Sequence, residues 1–279
     1  MEKASYIIFL FGVVLGGLIF TGKATIGSYS MSFSYYMLLP TIIFLNKFLD
    51  KLSLQLFIIT LVSLLIILSF GSRGPILCVA VFIFLKLIRP GTQISFRKAI
   101  GYLVVTVIGF SGLIFYNRIF ESIYDLLLLF GIKSRNITLL LNEGVHWSGR
   151  DLLYENVIKE IIENPIMGIG LAGDRGILGG RYVHNFFIEV IANFGFIMGG
   201  ILLIAFLLLV LKSLIQNNRV KYNMIIIWLC IGFIPLMVSG SYLTSMNFWI
   251  FLALILNGLF IRNKSNMISK DEVFYESIG

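Results

Sequence analysis

Apolar runs long enough to cross a lipid bilayer dominate this chain. About eight can be read: residues 6–21, 33–49, 54–70, 76–88, 99–116, 186–211, 222–238 and 243–261. A helix needs roughly 20 residues to traverse ~30 Å of hydrocarbon. Most of the runs approach that length, and the short fourth one can be extended at either end. Inside lipid, backbone N–H and C=O groups must be paired within the spanning structure, so only helices and closed barrels are allowed. The runs are continuous rather than alternating in polarity, which selects helices over barrel strands. With 58% hydrophobic and 13% charged residues, the chain lies outside the range of soluble domains. The expected fold is all-α, a polytopic bundle of transmembrane helices.

Lysine and arginine set the expected orientation, because they accumulate on the cytoplasmic side of short loops. With the N-terminus inside, the inner segments carry Lys3, Lys47, Lys51, Lys86, Arg89, Arg97, Lys98, Lys212, Arg219, Lys221, Arg262, Lys264 and Lys270. The short outer turns carry only Lys23 and Arg73. Both termini are then cytoplasmic and the segment between the fifth and sixth runs is external. The chain divides into N-terminal spans (1–116), a large extracytoplasmic loop (117–185), C-terminal spans (186–261) and a cytoplasmic tail (262–279). The net charge of +8 follows from this topology and from contact with anionic lipid, and nothing points to nucleic acid. The first run begins like a signal peptide, but no small-x-small cleavage site follows, so a retained span is expected. Cys78 and Cys230 fall within spans and form no metal set. Gly12/Gly16 and Gly195/Gly199 have the small-xxx-small spacing that lets helices approach closely.

The outer loop is where chemistry is to be sought. Residues 117–129 place Ile119, Phe120, Ile123, Leu126 and Leu127 on one helical face and Arg118, Glu121 and Asp125 on the other, the pattern of a helix lying on the membrane surface. Ser148 and Asp151 have capping-box spacing, and a helix is expected from Arg150 to Glu163, with Leu153, Val157, Ile158, Ile161 and Ile162 as its apolar stripe. Pro165 ends it, since a residue before proline avoids helical backbone. The free N–H groups and positive dipole end of that helix, joined by the Arg150 fork, would suit a phosphate. The plainer alternative is that Arg150 pairs with Asp151 or Glu155.

Gly168, Gly170 and Gly173 spell G-x-G-x-x-G. The dinucleotide fingerprint requires a preceding strand, whereas here a helix and a proline precede, so the glycines are read as an irregular tight turn. No nicotinamide or other cofactor is expected. His184 stands where the chain re-enters the membrane, after Arg175 and Arg181 and before Asn185. With an ordinary pKa near ~6.5 it could act as a neutral base, or it could serve only as an interfacial anchor. His146, beside Trp147, is read as interfacial. Arg73 opens the fourth span; it could snorkel to headgroups or hold an anion.

Three blocks in this order resemble the O-antigen polymerase and O-antigen ligase superfamily of bacterial membrane glycosyltransferases. They are Ser72-Arg73, then Ser148-Gly149-Arg150 leading through a helix to Asn164-Pro165-Ile166-Met167-Gly168-Ile169-Gly170, then His184-Asn185-Phe186-Phe187-Ile188-Glu189 with Gly195 after it. The resemblance spans residues 54–251. It implies glycosyl transfer without a metal on the outer face of the bacterial inner membrane. The donor would be a glycan on undecaprenyl pyrophosphate, and the acceptor another lipid-linked glycan (polymerase) or lipid A core (ligase). Arg73 and Arg150 match the family's pyrophosphate-binding arginines and His184 its histidine; Arg175, Arg181 and Asn185 are further substrate-binding candidates. The polymerase reading, yielding O-antigen or capsular polysaccharide, is preferred. Membrane lipids and other polysaccharide-assembly proteins are the expected partners. Family members usually have more spans, so a short form, one needing a partner, or an inactive truncated member is also expected. A non-enzymatic flippase for the same lipid is the remaining alternative, but transporters place charge near the bilayer midplane, and here cations gather at the outer edge.

Overall fold

The computed structural model describes residues 1–20, 31–69, 73–89, 116–129, 150–215 and 218–258. Among the described residues every regular element is a helix. The chain forms two compact units, Met1–Ser148 and Gly149–Gly279. Most of the fifth expected span, His146, Ser148 and the 262–279 tail lie outside the described residues.

In the first unit, α1 is Glu2–Phe20, α2 Met31–Asp50, α3 Leu54–Ser69, α4 Arg73–Leu87 and α5 Tyr116–Leu129. α2 packs against α1, α3 and α4, with Met37, Leu38, Ile42, Phe44 and Leu45 almost fully buried. Lys47 pairs with Glu2 at 2.6 Å, and Lys86 pairs with Asp50 at 3.2 Å and donates to Asn46 at 2.5 Å. These contacts hold the start of α1 and the ends of α2 and α4 at one end of the unit, as alternating spans require. Gly12 of α1 meets Met37, so a Cβ there would fall on its thioether sulfur, whereas nothing lies within 4 Å of a Cβ at Gly16. Among the described residues, only the first of that glycine pair serves close packing. α5 exposes Arg118, Glu121 and Asp125, the polar face expected of a surface helix.

In the second unit, α6 runs Arg150–Glu163, α7 Gly173–Ile177, α8 Phe186–Leu214, α9 Arg219–Trp228 and α10 Met246–Gly258. α6 has the expected boundaries. Only part of its expected stripe faces inward: Val157 and Ile161 are buried against Leu178, Val183 and Ala192, while Ile158 and Ile162 are exposed.

The expected single span over 186–211 is broken. Gly195 sits at φ 73°, ψ 176° within α8, a backbone region essentially reserved for glycine. The bend is sharp enough to bring Gly199 within 3.1 Å (measured from a Cβ built on it) of the Ile191 Cα. A helix break frees backbone groups that must find other partners. The segment after Pro165 supplies them: Ile169 N–H donates to the Ala192 carbonyl at 2.7 Å, and Phe196 N–H donates to the Pro165 carbonyl at 2.8 Å. Close approach explains the glycines. A Cβ at Gly168 would strike the Ala192 carbonyl, and one at Gly195 the Ile166 carbonyl.

The expected span 222–238 is also irregular. α9 passes into a π-helical turn at Leu229–Phe233 and a 3₁₀ turn at Ile234–Met237, and a Cβ at Gly232 would lie 2.5 Å from the Asn247 carbonyl of α10. Among the described residues, three helices are long and apolar enough to cross a membrane: Glu2–Ile19, Phe186–Leu214 and Arg219–Met237. The apolar segments Leu54–Ile67, Gly74–Leu87 and Met246–Gly258 are shorter.

Candidate functional site

His184 is placed by what grips its neighbours. On one side, the Val183 N–H donates to Asp174 Oδ2 at 3.0 Å, and Asp174 is fully buried. On the other, Asn185 caps α8, its Oδ1 accepting from the N–H groups of Phe187 at 3.0 Å and Ile188 at 3.2 Å. Asparagine in extended backbone is a preferred N-cap, and the cap contributes ~1 kcal/mol. Phe186 is buried at the hub of an aromatic cluster, its ring 5.2–5.7 Å from those of Phe187, Phe206, Phe233, Tyr242 and Phe248. Offset and edge-on aromatic contacts at such separations stabilise beyond their buried area.

Held between these fixed points, His184 adopts φ 58°. Left-handed backbone costs a non-glycine residue ~1–2 kcal/mol, so the surroundings impose it. The imidazole packs on Tyr182, with ring centroids 4.1 Å apart. Its Nδ1 is buried without a hydrogen-bond partner among the described residues. Burial first, and the positive charge of Arg150 second, hold the His184 pKa below its ordinary value. The ring is thus neutral near pH 7, a state that can accept a proton. Arg150, at the N-terminus of α6 and half-buried, stands close enough for its charge to be felt at the ring. Both of these expected site residues lie in the second unit.

The other candidates fall differently. Arg175 lies within a buried acidic network: its guanidinium contacts Asp174 Oδ1 at 3.2 Å, Ser241 Oγ at 3.0 Å and Glu189 Oε1 at 3.8 Å. Arg181 is exposed on the loop before Tyr182. Arg73 is the first residue of α4, in the other unit, and its side chain lies outside the described residues. Asn185 is the α8 cap.

Sequence reasoning missed Asp174, Glu189, Asn193, Ser241 and Tyr242. Glu189 is fully buried; it accepts from Ser241 Oγ and, at 3.2 Å, from the Tyr242 N–H. Asn193 accepts from the Ala172 N–H at 3.1 Å and donates to the Tyr242 hydroxyl at 2.7 Å. The signal was present: an ionisable residue inside an apolar run marks a functional region by default, and Glu189 stands in the sixth run.

His184, Asp174, Glu189 and Asn193 lie within the part of the chain that comparison with known families singles out, and Ser241 and Tyr242 bond to it from a later turn. A family model described as O-antigen ligase matches residues 57–199, just over half of the chain. Comparison with the curated proteins and with the solved structures returns no match. The matched region holds α3, α4, α6, the loop to His184 and the bend of α8, and with that extent of match the chain belongs to the O-antigen ligase family.

Proposed function

We propose that this protein transfers a glycan from undecaprenyl pyrophosphate to a sugar hydroxyl at the outer face of the bacterial inner membrane, and that it extends lipid-linked repeat units into O-antigen or capsular polysaccharide. The observation that carries this reading is a half-buried imidazole whose Nδ1 is shielded and has no hydrogen-bond partner among the described residues, kept neutral by burial and then by the charge of Arg150. In the reaction the acceptor oxygen bonds to the anomeric carbon as the bond from that carbon to the pyrophosphate oxygen breaks. The electron pair leaves with the lipid pyrophosphate, and the acceptor proton passes to His184. Arg150 opposes the negative charge that grows on the leaving group. Arginine can do so bidentately and without a metal. Arg181 and Asn185 are further candidates for touching substrate. The segment 117–185 is the external catalytic loop in a topology of about eight spans, with both termini in the cytoplasm.

The ligase reading, with lipid A core as acceptor, is favoured by one observation, the description of the matching family. The glycan profile of a deletion strain separates the two. Loss of long chains with single repeat units still attached to the core marks a polymerase. Complete chains accumulating on the carrier lipid mark a ligase. An unchanged profile defeats both.

A further inference from the structure

A circuit of hydrogen bonds and ion pairs ties together the residues on either side of His184. Starting at Val183, the backbone N–H binds Asp174 Oδ2 at 3.0 Å. Asp174 Oδ1 takes the Arg175 guanidinium at 3.2 Å. The other arm of that guanidinium reaches Ser241 Oγ at 3.0 Å and Glu189 Oε1 at 3.8 Å. The Glu189 backbone N–H then donates to the Asn185 carbonyl at 2.9 Å. The circuit leaves Val183 and returns at Asn185, so the residue it spans is His184. Asp174 and Glu189 are both fully buried, and Ser241 is 1% exposed. Charges are rarely buried unless paired, and here one arginine joins two acids from different elements. Ser241 and Tyr242, in the turn before α10, add a third element, bound to Glu189 through the hydroxyl and the backbone N–H.

We propose that Asp174, Arg175, Glu189 and Ser241 are positioning residues that hold His184 in its left-handed conformation against Tyr182, which extends the catalytic apparatus to the turn before α10. The proposal rests on the reading of His184 as the proton acceptor. It accounts for an Arg175 with acids on both sides and for a histidine in strained backbone. A displacement of the order of 1 Å in a catalytic group lowers turnover by roughly 10²-fold.

The test uses the full chain in nanodiscs, with ¹³C-labelled histidine. The protein has only two histidines, so His146→Gln leaves the His184 signals assigned. The Tyr182 ring, 4.1 Å away, gives the His184 ring protons a ring-current shift. In Glu189→Gln and Asp174→Asn the expectation is loss of that shift and a roughly 10²-fold lower kcat with KM for the lipid-linked donor unchanged. Ser241→Ala, which keeps every charge, should show a smaller loss of both and serves where the acid variants do not fold. Folded variants that keep the wild-type ring shift, or a KM rise at unchanged kcat, overturn the proposal. Wild-type turnover in His184→Ala would instead defeat the catalytic reading, and the ring shift would still decide whether the circuit holds the imidazole.

Discussion

His184 acts, on the proposed function, only as the neutral imidazole. Its pKa is depressed by burial first and by Arg150 second. A depressed value keeps the base form populated below the ordinary ~6.5. Replacing Arg150 by glutamine removes the second cause, so the His184 titration should move upward toward that value, as an NMR pH series would record; an unmoved or lowered midpoint contradicts it. Arg150→Lys retains the charge but not the fork. It should cost ~1.5–3 kcal/mol of binding, a roughly 10- to 150-fold loss of kcat/KM, and wild-type kinetics there would mean that charge alone suffices. His184→Ala should abolish glycan transfer while membrane levels of the protein stay normal, as a glycan profile and an immunoblot of the same cells would show. The residue scale is also where the sequence was least sufficient. Arg150 and His184 could be picked out because their types suit the chemistry. Asp174 could not, because its role depends on a contact with Val183 that no spacing rule encodes. Arg175 looked like a free cation in sequence, but it pairs with the adjacent Asp174 and with Glu189 of α8, and donates to Ser241 in a turn more than sixty residues on.

Among the elements, α6 and the Asn164-Pro165 stop were legible because capping, periodicity and proline sterics are local. The bend in α8 was not, since 186–211 reads as one long, mostly apolar run and a glycine inside it reads as packing. The bend follows instead from a tertiary exchange, in which the segment after Pro165 takes over the hydrogen bonds that α8 gives up. Gly195→Ala should therefore destabilise the protein by more than ~2 kcal/mol, since strain and a backbone collision add. Gly170→Ala, with φ 83° but nothing within 4 Å, should cost only the strain, ~1–2 kcal/mol. Gly16→Ala, in an open stretch of α1, should be neutral or slightly stabilising. Thermal unfolding of the three variants in one detergent tests the ranking; equal effects at Gly195 and Gly16 would remove the argument from close approach.

For the molecule as a whole, the all-helical class was legible from long apolar runs that are continuous rather than alternating, because lipid leaves so few ways of pairing backbone groups. Sidedness is a separate matter and rests on the basic residues. With an external loop, Arg181→Cys, at an exposed position, should react with a membrane-impermeant thiol reagent on intact cells. Lys212→Cys, exposed near the far end of α8, should react only after permeabilisation. Cys78 and Cys230 are buried, which keeps the background low. The reverse pattern would place His184 in the cytoplasm, away from its proposed substrate.

The broken helix also bears on which bilayers this protein fits. A straight α8 of 29 residues would measure ~43 Å, well over the ~30 Å of a typical hydrocarbon layer. Beyond the bend, 196–214 is ~28 Å long, a near match. The surplus turns, with Asn185 at their start, are thereby relieved of any duty to traverse the bilayer. Membrane thickness then sets the depth of His184 relative to the lipid headgroups, and acyl-chain length becomes a variable to which turnover should respond.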